Sequence, residues 1–156
     1  MVVAPMSVEL PAEEDTVRFG RALGAELAAG DLVLLAGPLG AGKTVLTRGI
    51  AEGLGVSGRV SSPTFVIARV HPAGARGVGL VHVDAYRLGG DLSQLDDLDL
   101  DSDLERSAVV VEWGEGMAER LSEDHLLVRL ERRPDDVRLA TFEPHGTWAT
   151  RLAERV

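Results

Sequence analysis

The sequence predicts an α/β fold: a largely parallel sheet covered by helices on both faces, with an antiparallel hairpin added at its C-terminal end. Three observations carry this expectation. Runs at 31–36, 80–83 and 107–111 are apolar almost throughout instead of alternating, as strands covered on both faces are. Segments 11–30 and 43–54 space their apolar residues for one face of a helix. The runs 126–132 and 137–142 do alternate, and Arg133-Pro134-Asp135-Asp136 joins them as a proline-bearing turn.

The bulk properties narrow the class. A chain of 156 residues is about one domain long and buries a sizeable core. With 45% hydrophobic and 26% charged residues the composition is that of an ordinary globular protein. No apolar run approaches the roughly 20 residues that span a bilayer, and residues 1–9 show no basic segment followed by an apolar core, so a cytoplasmic location without membrane attachment is expected. The absence of cysteine excludes disulfides, thiolate metal sites and a cysteine nucleophile. A net charge of −9 argues against holding a nucleic acid directly, since that affinity comes from Lys and Arg neutralising phosphates.

The elements follow in order. Segment 11–30 reads as a packing helix, with Glu13, Glu14 and Asp15 in its first turn, Val17, Leu23 and Leu27 on its apolar face and Gly30 as its stop; Gly20 and Gly24 count against it. The strand 31–36 then runs into Gly37-Pro38-Leu39-Gly40-Ala41-Gly42-Lys43-Thr44. Glycine, four residues, then Gly-Lys-Thr is the Walker A spacing, and it stands in the required context, after a strand and before a helix. Small residues at Gly40, Ala41 and Gly42 let the backbone curl round a phosphate with its N–H groups inward, and the following helix aims its positive end there. Lys43 is expected to bridge β- and γ-phosphate oxygens and the Thr44 hydroxyl to ligate Mg²⁺. The nucleotide-binding run is therefore Gly37, Leu39, Gly40, Ala41, Gly42, Lys43, Thr44 and Val45. Its helix ends at Gly55, and Arg48 on the second turn is a surface residue with phosphate sensing as an alternative.

Beyond the loop, Ser61-Ser62-Pro63-Thr64 is a polar turn feeding a strand, and Thr64 is the hydroxyl that could complete a Mg²⁺ shell or sense the γ-phosphate. Residues 71–79 read as a hairpin loop. Strand 80–83 ends at Asp84 and strand 107–111 at Glu112, so two acids compete to hold the metal and to orient or deprotonate the attacking water, and the spacing leaves that division open. His82 either orients Asp84 or fills the core. Trp113 either stacks near the base, covers the site or packs beside a turn. The acidic stretch 91–105 reads as one or two amphipathic helices with a solvated face, 114–121 as a short helix, and 147–156 as a short helix or frayed tail. The last third carries no chemical motif and reads as scaffold.

Taken together, Gly-Pro-Leu-Gly-Ala-Gly-Lys-Thr with Arg48-Gly49 and Leu54-Gly55, Ser62-Pro63-Thr64-Phe65, His82-Val83-Asp84-Ala85-Tyr86-Arg87-Leu88, and Glu112-Trp113 with Glu115 resemble the TsaE (YjeE) family of small bacterial P-loop ATPases. The resemblance covers residues 30–120. It implies the three-layer P-loop NTPase fold, Mg²⁺-dependent ATP hydrolysis, and support of tRNA threonylcarbamoyladenosine modification with the TsaB and TsaD proteins, tRNA being reached through that complex. It also implies a switch role for Thr64, a metal-linked role for Asp84 and a site role for the Glu112-Trp113 pair. Pro38 and Val45 depart from the family pattern, where an acid and a threonine are usual. The residues alone leave two rivals, a small-molecule kinase and a nucleotide-gated binding module with slow resetting hydrolysis. The isolated chain is expected to be a monomer.

Overall fold

The computed structural model describes residues 6–37, 42–56, 68–74, 76–84, 105–112, 124–148 and 150. Their elements are β1 (Met6–Leu10), α1 (Glu13–Glu26), β2 (Leu32–Ala36), α2 (Lys43–Leu54), β3 (Ala68–His71), β4 (Gly79–Asp84), β5 (Ser107–Glu112), β6 (His125–Arg132) and β7 (Arg138–His145). The strands form one seven-stranded sheet in the order β1-β7-β6-β2-β5-β4-β3. At its centre β6, β2, β5 and β4 are parallel. β7 and then β1 add antiparallel at one side, and β3 adds antiparallel at the other.

The apolar runs explain the centre. Every residue of β2 and β5 is buried, on both faces of the sheet. Val33, Leu35, Val110, Leu126 and Val128 pack with Leu46, Ile50 and Leu54 of α2, Leu23 of α1 and Leu27 just past its end in one core cluster. Full burial of each such side chain contributes on the order of 1.5–3 kcal/mol. Leu32, Leu34, Val109 and Val111 occupy the opposite face and are equally buried.

Gly20 and Gly24, which weakened the helix prediction, are what lets α1 cross α2. A methyl group at Gly24 would lie 2.2 Å from the Ile50 carbonyl oxygen, and one at Gly53 on α2 would lie 2.1 Å from that of Arg21. Each glycine costs a helix about 1 kcal/mol against alanine. That cost is offset by a backbone approach no larger residue permits. Arg76, in the loop between β3 and β4, then ties the C-terminal ends of both helices together: its guanidinium donates to the carbonyls of Gly24 and Leu27 (2.9 Å each) and of Gly53 (3.1 Å).

Several boundaries differ from the sequence reading. α1 ends at Glu26 because Leu27 turns extended and inserts fully into the core, so Gly30 lies past the helix. β1 was not anticipated; it pairs with β7, and its Leu10 joins the core. Trp148, in the segment read as a short helix or frayed tail, is helical, 2% exposed and part of the core, next to Thr147, whose N–H donates to Asp124 at 2.7 Å. Arg48 pairs with Glu13 at 2.7 Å. Residues 91–104 of the segment expected at 91–105, and all of 114–121, lie outside the described residues. Among the described residues no helix is long and apolar enough to cross a membrane.

Candidate functional site

β2 delivers the chain to Gly37, and α2 takes it up at Lys43. Between them Gly42 is the N-cap in a left-handed conformation (φ 104°), which any side chain would strain. The two helices treat their positive ends differently. α1 carries Glu13, Glu14 and Asp15 in its first turn, and the Asp15 carboxylate accepts the Ala12 N–H at 2.9 Å. α2 has no acid in its first turn and its N-cap makes no side-chain hydrogen bond, which leaves the positive end of its dipole without a local counter-charge from that turn. Lys43 is nearly buried, and its Nζ donates to the Gly37 carbonyl at 2.7 Å, across the base of the loop.

The next contact joins sites 68 residues apart. The Thr44 hydroxyl donates to Glu112 Oε1 at 3.3 Å. β5 lies directly beside β2, with Glu112 level with Leu35, and β4 lies beyond it with Asp84 level with Glu112. Both predicted acids thus end neighbouring parallel strands at the same height, and Glu112 is the one that meets the helix start. Only the backbone position of Asp84 is described. Glu112 itself is 5% exposed, and the imidazole of the fully buried His82 has Nε2 3.4 Å from the same Oε1. That distance is a contact short of a hydrogen bond, and neither ring nitrogen has a hydrogen-bond partner.

An oxygen-only pair of hydroxyl and carboxylate fits Mg²⁺, which takes one or two carboxylates together with phosphate and water oxygens. Among the described residues no group of three or more His, Asp or Glu side chains could hold a metal unaided, so the chain's share of such a shell is small.

Val45 turns toward a cleft of about 230 Å³ that opens beside the start of α2. Pro11 and Thr16 line it from one side and Arg132, Asp136 and Arg138 of the β6–β7 hairpin from the other. The sequence reading treated that hairpin as scaffold. Nothing in the linear pattern could place its arginines here, because β7 must first pair with β1 to bring them beside α1. Leu39, Gly40, Ala41, Thr64 and Trp113 lie outside the described residues.

Comparison with known proteins decides the lineage. Residues 10–140 match the family described as threonylcarbamoyl adenosine biosynthesis protein TsaE. The chain belongs to the TsaE family. Relatives bearing the name tRNA threonylcarbamoyladenosine biosynthesis protein TsaE include one from Streptomyces coelicolor, 59% identical over 84% of this chain and 92% of that protein. Another, from Bacillus subtilis, is 36% identical over 92% of this chain and 88% of that protein. The crystal structure of Bacillus subtilis YdiB superposes with a TM-score of 0.79 and 31% identity, covering 99% of this chain and 95% of that one. The TsaE match spans the loop, both strand-end acids and the start of the β6–β7 hairpin, so it takes in both sides of the cleft beside Val45.

Proposed function

We propose that the chain is one Mg²⁺-dependent ATPase domain that serves threonylcarbamoyladenosine biosynthesis on tRNA, working in the cytoplasm with the TsaB and TsaD proteins. Family membership supports the pathway. The observation that carries the chemistry is the Thr44 hydroxyl on Glu112 at the foot of a glycine loop, which couples the phosphate-binding helix to a strand-end acid. The loop amides and Lys43 bind the phosphates, Lys43 exchanging the Gly37 carbonyl for phosphate oxygen. Thr44 and Glu112 are the residues that would hold the metal. When bound, Mg²⁺ neutralises charge that develops on the phosphate oxygens. Asp84, at the same height on the next strand, is then assigned to orienting the attacking water and accepting its proton. The cleft beside Val45 would seat the nucleoside, with Arg132 and Arg138 at its rim. Thr64 and Trp113 keep the switch and covering roles the family resemblance implies.

No arginine completes the charge clamp among the described residues lining the loop, so hydrolysis by the monomeric chain alone should be slow and rise with the partner complex. The test is nucleotide titration by calorimetry with and without Mg²⁺, comparing ATP with GTP, followed by phosphate release from the chain alone and with TsaB and TsaD. Saturable, Mg²⁺-dependent ATP binding with partner-stimulated release is the expected outcome. No ATP binding, or equal rapid rates with and without the partners, would sink the reading.

A further inference from the structure

Strand β4 is apolar at Leu80, Val81 and Val83, yet places a histidine between them with no exposed surface. A leucine there would bury without penalty, whereas an imidazole with both nitrogens unanswered is costly. The geometry says what the ring is for. In the parallel register His82 stands opposite Val110, two residues before Glu112 on the adjoining strand, so its side chain shares a face with that of Glu112 and reaches it on the diagonal. Nε2 lies 3.4 Å from Glu112 Oε1, and the Thr44 hydroxyl lies 3.3 Å from that same oxygen on another side. Both contacts are a few tenths of an ångström longer than a full hydrogen bond.

We propose that His82 is a positioning residue: its Nε2–H donates to Oε1 of Glu112 and fixes that carboxylate against Thr44, leaving Oε2 uncommitted by these two donors. This rests on the reading of Glu112 and Thr44 as the metal-holding pair. A carboxylate held by one rotatable hydroxyl has several orientations; a second donor from a rigid, buried strand removes them before the nucleotide binds. Outer partners of this kind govern metal affinity by about 10- to 100-fold in general. The reach matters as much as the polarity. A glutamine amide nitrogen falls near the position of Nε2, whereas an asparagine amide stops near Nδ1, on the wrong side of the ring.

Two measurements test this. In ¹⁵N-histidine-labelled chain without nucleotide, the His82 resonances should show hydrogen on Nε2 and should move in Glu112→Gln; a ring protonated only on Nδ1, or one unmoved by that substitution, would overturn the proposal. In phosphate-release assays at saturating ATP, His82→Leu and His82→Asn should raise the Mg²⁺ concentration for half-maximal rate by roughly 10- to 100-fold with KM for ATP within about twofold, and His82→Gln should recover most of the loss. Unchanged Mg²⁺ dependence in His82→Leu, or equal loss in His82→Gln and His82→Asn, means a packing role and ends the proposal. Should His82→Leu fail to fold, the Gln and Asn pair and the labelled wild type still decide it. If the wild type shows Nε2–H bonded to Glu112 yet no hydrolysis, the ATPase reading fails while the positioning contact stands.

Discussion

The parallel centre and the antiparallel flank of the sheet use their polar residues in opposite ways. At the centre, around β2, β5 and β4, Lys43, His82 and Glu112 are buried and gather at the strand ends next to Thr44. On the flank, charges lie at or near the surface and answer one another: Arg133 bonds Glu9 and Asp135 and Arg132 bonds Asp136 in the open, and Arg129 bonds Glu143 half-buried. A buried charge is expensive unless something specific requires it, while exposed pairs contribute little and cost little. Burial thus separates the proposed site residues Lys43 and Glu112 from the exposed ion pairs of the flank.

The largest expected effect tests that contrast directly. Lys43→Ala should lower ATP hydrolysis by on the order of a hundredfold or more, the range seen on removing one preorganised donor, whereas Arg133→Ala should change it less than about twofold, as for an exposed ion pair; comparable losses in phosphate release would break the distinction. Glu112→Gln should cost about as much as Lys43→Ala, together with weaker Mg²⁺ dependence of nucleotide binding.

Next in size come the devices that hold the centre rigid. Gly24→Ala forces a methyl group to within 2.2 Å of the Ile50 carbonyl; overpacking of this kind costs about 1–3 kcal/mol, which should outweigh a gain of about 1 kcal/mol in helix propensity. A urea midpoint that rises in Gly24→Ala would show that the helices can separate freely. Arg76→Ala removes a donor from three helix-end carbonyls, of which that of Gly24 keeps the Leu27 N–H, and should cost about 1–3 kcal/mol in the same assay.

The smallest effect belongs to the flank. The Val137 N–H, and then Arg133, hold the Asp135 carboxyl below its ordinary 3.8. A depressed carboxylate value stabilises the fold fully above 3.8 and ceases to do so as pH falls through the folded-state value. Asp135→Asn should therefore be slightly less stable than wild type at neutral pH, and the two denaturation midpoints should converge below pH 3.8. A difference that grows on acidification would contradict the assignment.

Much of the centre was legible because its signals are local. The uninterrupted apolar runs named the buried strands, the bounds of α2 followed from Lys43 and Gly55, and the Arg133-Pro134-Asp135-Asp136 turn fixed the β6–β7 hairpin, where the Asp136 N–H donates to the Arg133 carbonyl at 3.0 Å. Glycines at 20 and 24 counted against α1, which forms all the same, for a physical reason. Propensity scores the isolated helix, and their value appears only when a second glycine-bearing helix lies against them. β1 and Trp148 were missed because their partners, β7 and the core, are supplied by distant chain.

The sequence by itself determined that a loop of Walker A spacing lies between a buried strand and a helix, and that two acids end two further strands, since each of these rests on neighbours a few residues away. Tertiary structure decided what they meet. Strand order put β5 rather than β4 beside β2, which brought Glu112 to Thr44 and His82 to Glu112 and set the hairpin arginines across a cleft from Val45. Strand order is set by which apolar faces pack together over the whole sheet, and no local spacing encodes it.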